Sequence, residues 1–436
     1  MSDTPLILVV YTTRYRKGGD RFGRVARTMA GELEASTRSN VRLEAVESKG
    51  ALKQLFREFD EAGTPIAQFH FIGHSGMYGP MFGTVEFPEQ FSPWELDHLQ
   101  VPWATGASAY FHCCRSARWF APYFARVQGV KTYGYHWYTA FSARKGHFSI
   151  DLSKDPAKPL YCFGCIGKKS HGLVGSLRKY LGIKAEQMIA YEPSQSSPDR
   201  TYNKVAKRYD AVFQDIKVRE DEWNWLDERI PFGENLRVLD IGCGNGALLK
   251  ELAPRIKTGV GIDLSEALLE KAKQLNERHR NISFEQITAP EIPFGDDSFD
   301  VVISMLSFRY LDWDPMLEEI DRVLVRGGKV LILDMVTAPV NWREWPMFIK
   351  SKWKFYHSKI KNPDYYDALS ALVSDPAWKE MLRYNPIRSE HEMKWYLESR
   401  FPGRKAQVIN IGMHSRILAF DSGPVAEMNK VKLSYP

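Results

Sequence analysis

Residues 237–253, RVLDIGCGNGALLKELA, constrain this chain more than any other stretch. The apolar run around Val238, Leu239 and Ile241 reads as a buried strand. Gly242, Gly244 and Gly246 follow it, and a helical pattern begins at once. Glycine has no Cβ, so the backbone can turn sharply there and sit against a ligand. The helix from about Asn245 presents unpaired N–H groups at the same point. Asp240, the polar position of the strand, can accept hydrogen bonds from a cationic or N–H-bearing group. The spacing G-x-G-x-G is shorter than the dinucleotide fingerprint G-x-G-x-x-G, so the turn alone does not name its ligand.

Three further stretches follow in order. GVGIDLS (259–265) ends a second strand on Asp263, where a carboxylate can take both hydroxyls of a ribose. ITAPEIPFGDDSFDVVISML (287–306) gives a loop, a Phe-Asp pair and a third strand. LEEIDRVLVRGGKVLILDM (317–335) gives a helix, a Gly-Gly turn and a fourth strand.

This series resembles the class I S-adenosylmethionine-dependent methyltransferases, especially their small-molecule branch, over about residues 200–421. The resemblance implies a Rossmann-like, seven-stranded α/β domain with S-adenosyl-L-methionine as cofactor. It implies that Asp240, Gly242 and Gly244 line the methionine part and that Asp263 holds the ribose. Leu264 then packs on the adenine, and Thr288 and Ala289 border that ring. Thr288 stands where the family often has Asp. Ser304, Met305 and Leu306 are expected to flank the reactive methyl.

Methyl transfer from a sulfonium is an in-line displacement, in which the protein supplies position and electrostatics. A general base is needed only where the nucleophile keeps a proton. The candidates are His357, His391, Tyr202 and Tyr209. The segment of about residues 337–390 breaks the strand–helix alternation and reads as a helical lid insertion. Within it, KSKWKFYHSKIK (350–361) sets five lysines among aromatics. A lid over an anionic or aromatic substrate, contact with a membrane surface, and a plain solvated helix are all open, with core plus lid the expected reading. Nucleic acid is not expected as a partner. SMLS (304–307) replaces the Asn/Asp-Pro-Pro-aromatic tetrapeptide of base-amine methyltransferases, and no RNA-binding module is recognisable.

Ahead of this lies a second α/β alternation. Strands are expected at 6–12, 41–47, 67–76, 107–114 and 130–135, with helices at 21–35, 50–63 and 117–129, which argues for a mainly parallel sheet. EPSQSSPDR (192–200) is the linker, dividing a domain over 1–191 from one over 201–436. FHFIGHSG and AYFHCCRSA each end a strand on a residue with catalytic chemistry, His74 and Cys114. A cysteine becomes nucleophilic beside an imidazolium or a helix N-terminus. These residues look like the caspase-like (clan CD) cysteine peptidase fold. Ser75 stands where that fold has a glycine, and His112 and Cys113 replace its small residues. Three roles stay open: an active peptidase, an inactive relative that dimerises or covers the second site, and an unrelated flavodoxin-like domain. The expected function is methyl transfer to a small molecule. The rival is a peptidase or regulatory protein whose second domain senses the cofactor.

Composition sets the remaining bounds. Of 436 residues, 44% are hydrophobic, which excludes a largely disordered chain. The net charge of +6 permits anionic partners without demanding them. Five clustered cysteines are too few for a disulfide scaffold, and the lone C-x-x-C of Cys162 and Cys165 lacks a second ligand pair for zinc. No metal is expected. The apolar run near the start is too short for a secretory signal, and no stretch approaches a membrane span, so a cytoplasmic protein is expected. A homodimer is open.

Overall fold

The computed structural model describes residues 6–13, 19–37, 39–76, 78–83, 88–91, 93–153, 155–165, 177, 181, 184–193, 201–288, 291–338, 340–384, 387–412, 416–426 and 428. The chain divides into two compact units between residues 197 and 198. Most of the expected linker therefore lies outside the described residues.

The first unit is built on a six-stranded sheet. Its order is Asn40–Val46, Leu6–Thr12, Ile66–Ile72, Trp103–His112, Lys131–Gly134, Ile189–Tyr191. The first five strands run parallel and the last antiparallel. Leu6 to Val10 are fully buried, the continuous apolar run of a strand covered on both faces. Helices Gly19–Ser36, Lys49–Glu61 and Phe120–Gln128 connect these strands. Ser48 caps the second of them by accepting the Ala51 N–H at 3.0 Å.

In the second unit the sheet order is Ile282–Gln286, Thr258–Asp263, Arg237–Ile241, Phe299–Met305, Leu324–Thr337, Arg416–Pro424, Gln407–Ile411. Five strands are parallel, and Arg416–Pro424 runs antiparallel to both neighbours. The resemblance implies seven strands, and among the described residues the sheet has eight. The extra one is Arg388–Ser389, two residues that pair with Val336 and Thr337 at the carboxyl end of the long strand. Short polar-flanked pairings of that length leave no periodic signal in a sequence.

Two large apolar clusters fill the second unit, one centred on Leu239, Ile262, Val302 and Leu418, the other on Val238, Leu249, Val301 and Leu331. Successive residues of one strand thus feed opposite clusters, as alternating side chains must. The expected insertion consists of helices Trp345–Lys361, Pro363–Ser374 and Pro376–Tyr384. Its middle helix packs on helix Ala206–Phe213 around buried Val212 and Leu372. Among the described residues no helix is long and apolar enough to cross a membrane.

Candidate active site

Strand Arg237–Ile241 sits where the order of the second sheet reverses, between Thr258–Asp263 on one side and Phe299–Met305 on the other. At such a point the two flanking connections leave in opposite directions and open a crevice at the carboxyl strand ends. The glycine turn lies there. Gly242, Gly244 and Gly246 have φ of +72°, +56° and +73°, a region L side chains rarely adopt. A Cβ on Gly242 would stand 2.3 Å from Ser307 Cβ, and one on Gly244 would stand 3.3 Å from the Tyr209 ring. Dihedrals favour glycine at both positions, and at Gly242 sterics require it as well.

Two carboxylates flank the turn and differ in environment. Asp263 Oδ2 accepts the Gly244 N–H at 2.9 Å and Oδ1 accepts the Ser265 N–H at 2.8 Å. This ties the turn to the end of the next strand and leaves lone pairs for vicinal hydroxyls. Asp240 is 2% exposed, and its carboxyl makes no hydrogen bond among the described residues. Burial, and then the neighbouring Asp263 charge, push its pKa up to about 8. An unpartnered buried carboxyl is costly, and a cationic ligand beside it relieves that cost.

The remaining expected cofactor contacts are placed as follows. Leu264 is 47% exposed directly after Asp263, an apolar side chain left open to a flat ligand. Thr288 is exposed beyond strand Ile282–Gln286, and Ala289 lies outside the described residues. Ser304 is buried behind the turn, its Oγ 2.8 Å from Ser307 Oγ, which donates to the Ile241 carbonyl at 2.5 Å. Met305 packs into the apolar cluster of Val301 and Leu333.

Leu306, also expected beside the methyl, opens a loop whose supports the sequence does not mark. Leu306 has φ of +62°, although it is not glycine. Its N–H donates to the Leu333 carbonyl at 2.7 Å, and its carbonyl accepts from Arg309 Nη1 at 2.7 Å. Arg309 and Asp334 form a buried ion pair beneath it. Arg309 Nη2 also donates to the Tyr310 hydroxyl at 2.5 Å, and the Tyr202 hydroxyl donates to the same oxygen at 2.9 Å. The Tyr202 ring meets Tyr209 at 5.4 Å and Trp378 at 5.7 Å, edge to face. An aromatic wall thus stands against the glycine turn. Asn203 anchors its base, accepting from Ser265 Oγ at 2.8 Å and from the Ala267 N–H at 3.2 Å. No motif marks Asn203, Arg309 or Asp334, because their partners are distant in the chain.

Of the candidate bases, Tyr202 and Tyr209 belong to this wall. Burial raises both phenols above their ordinary value, so they stay protonated and act as donors. His357 is exposed and stacked on Trp353 at 5.6 Å, and His391 is exposed on helix Glu390–Arg400.

In the first unit, the His74 ring meets Phe22 edge to face at 5.0 Å. Cys114 lies just past strand Trp103–His112. Its sulfur lies 3.3 Å from Thr139 Oγ1 and accepts the Thr139 N–H at 3.4 Å. Among the described residues the hydrogen bonds of that sulfur all go to Thr139, and the Cys114 carbonyl accepts from Ser75 Oγ. Arg115, the next residue, has φ of +57°. Among the described residues no group of three or more His, Cys, Asp or Glu can hold a metal ion.

A family model described as a methyltransferase domain matches residues 239–332. The chain is 31% identical over 170 residues to the ubiquinone/menaquinone biosynthesis C-methyltransferase of Geotalea daltonii, covering 36% of this chain and 69% of that one. It is 31% identical over 164 residues to the demethylmenaquinone methyltransferase of Lactococcus lactis, covering 35% and 65%. It therefore spans about two thirds of the length of these relatives. Among solved structures, a SAM-dependent methyltransferase from Aquifex aeolicus matches at 20% identity with a TM-score of 0.34, covering 52% of this chain and 99% of that one.

Proposed function

Because this chain belongs to the S-adenosylmethionine-dependent methyltransferases, we propose that it methylates a small, ring-bearing, apolar acceptor of the quinone type. The observation that carries the reading is the Asp240 carboxyl, buried and unpartnered beside three left-handed glycines. Those residues fit the cofactor, which supplies an electrophilic methyl on a sulfonium when bound. Asp240 offers a counter-charge to the cationic methionine portion, Asp263 takes the ribose hydroxyls, and Leu264 gives the adenine an apolar face.

The acceptor side rests on the aromatic wall. Tyr202, Tyr209, Tyr310 and Trp378 offer ring faces to a flat apolar molecule, and stacking of that kind holds its plane. The Tyr202 hydroxyl, donating toward Tyr310, can instead donate to a ring oxygen of the acceptor and favour electron density on it. Relatives that act on demethylmenaquinone support this acceptor class. In the first unit, the Cys114–Thr139 contact favours a binding or structural role over a caspase-like peptidase. A thiol-reactive peptide probe that labels Cys114 only while His74 is intact would reverse that assignment.

The test is transfer of a labelled methyl from S-adenosylmethionine, with a demethylated quinone and separately with cell extract, beside an Asp263→Ala control. The expected result is label in the solvent-extractable quinone, absent from the control. Label in protein or RNA overturns the acceptor class.

A further inference from the structure

Helix Trp345–Lys361 is built the wrong way round for a helix that serves only its own core. None of its residues is buried. Trp345, Ile349, Trp353, Tyr356 and Ile360 recur at steps of four, four, three and four, which is one face of a helix. All five are exposed, Trp353 by 69% and Ile360 by 82%, and Trp342 just before the helix by 76%. The opposite side is the one that meets the unit. Ser351 Oγ accepts the Ile411 N–H at 3.4 Å, and Lys354 and Lys361 pair with Asp221 and Glu220 at 2.5 and 3.8 Å. The apolar stripe therefore faces outward, where a solvated helix carries polar residues.

Charge selects what covers it. The helix holds five lysines and no Asp or Glu. Lys350, Lys352 and Lys359 flank the stripe and form no ion pair among the described residues. A second copy docked by two-fold symmetry would set these lysines against one another with no acid to pair them. An anionic surface pairs them all. The stripe is also rich in Trp and Tyr, whose amphipathic rings settle at the boundary between headgroups and acyl chains. We propose that this face lies in the headgroup region of an anionic lipid bilayer, with the helix parallel to the surface. An apolar quinone-type acceptor would be met there, although the surface contact is measured without acceptor or methyl transfer.

The experiment is sedimentation of the full chain with vesicles of phosphatidylcholine, with and without phosphatidylglycerol. The chain is expected to bind the anionic vesicles and to be released by salt. Trp353→Ser with Ile360→Ser should lower partitioning at least about tenfold, since both side chains lose apolar burial. Lys350→Glu, Lys352→Glu and Lys359→Glu together should remove the preference for phosphatidylglycerol, at about fivefold per lysine. All five positions are partly or fully exposed, and unchanged cofactor affinity confirms that each variant folds. The proposal is overturned if the chain ignores anionic vesicles, or if both variants bind as the parent does. It is equally overturned if the chain forms a dimer that the apolar substitutions dissolve while vesicles remain unbound.

Discussion

Arg309 donates its backbone N–H to Asp334 at 2.5 Å and closes an ion pair with the same carboxylate, both side chains lying beneath the strained Leu306. Burial alone raises the Asp334 pKa, and the guanidinium works against that rise. Asp334→Ala leaves the buried guanidinium without its counter-charge and takes the carboxylate acceptor from the Arg309 and Met335 N–H groups. A loss of about 3–5 kcal/mol in unfolding free energy is expected, the usual result of breaking a buried pair from one side. Chemical denaturation measures it, and a loss under 1 kcal/mol would show that water replaces the carboxylate.

Asp240 makes cofactor binding depend on pH. Its carboxyl has a pKa of about 8 in the free protein, above the ordinary range, because burial and Asp263 disfavour the charge. A cationic ligand favours the ionised form. Binding below pH 8 must therefore release a proton, and affinity should rise at least about tenfold from pH 6 to pH 8. Calorimetry in buffers of different ionisation enthalpy reads the proton directly. The sign for stability is opposite. The folded carboxyl holds its proton to higher pH than the unfolded one, so its contribution is lost as pH rises from about 4 towards 8. Asp240→Asn should thus raise the Tm of the cofactor-free protein at pH 8 and weaken cofactor binding. A mutant with lower Tm and unchanged affinity contradicts both halves.

The glycine turn and its two carboxylates were legible in the sequence because they are local. Asp240 is next to last in one strand, Asp263 closes the next, and the glycines between them follow a short pattern. The parallel core was legible for the same reason, in buried runs such as Leu6 to Val10. What was hidden depends on distance in the chain. Tyr202 reaches Tyr310, Asn203 reaches Ser265, and Arg309 reaches Asp334, and none of these pairs has a spacing that sequence alone can fix. Ser304 is expected beside the reactive methyl, and what the sequence does not mark is its contact with Ser307, whose hydroxyl lies 2.8 Å from its own.

Gly242 tests the turn itself. Alanine there must adopt φ near +72° and place its Cβ 2.3 Å from that of Ser307. Positive φ and overpacking each cost about 1–3 kcal/mol. Gly233→Ala is the control, since nothing lies within 4 Å of its Cβ. Thermal unfolding of both variants should separate them clearly, with Gly233→Ala within about 0.5 kcal/mol of the parent. Equal effects would mean that the loop bearing Ser307 yields without cost.

Tyr202→Phe removes one hydroxyl and keeps the ring against Tyr209 and Trp378. If that hydroxyl serves the acceptor, kcat should fall about tenfold while the cofactor Kd stays within about twofold. Tyr310→Phe removes the acceptor oxygen of the same bond, 2.9 Å away. The double variant should then lose less than the sum of the two single losses, because one interaction cannot be lost twice. Steady-state rates at saturating cofactor, with separate binding measurements, distinguish the cases. A parallel fall in cofactor affinity would instead assign the pair to packing of the wall against Gly244.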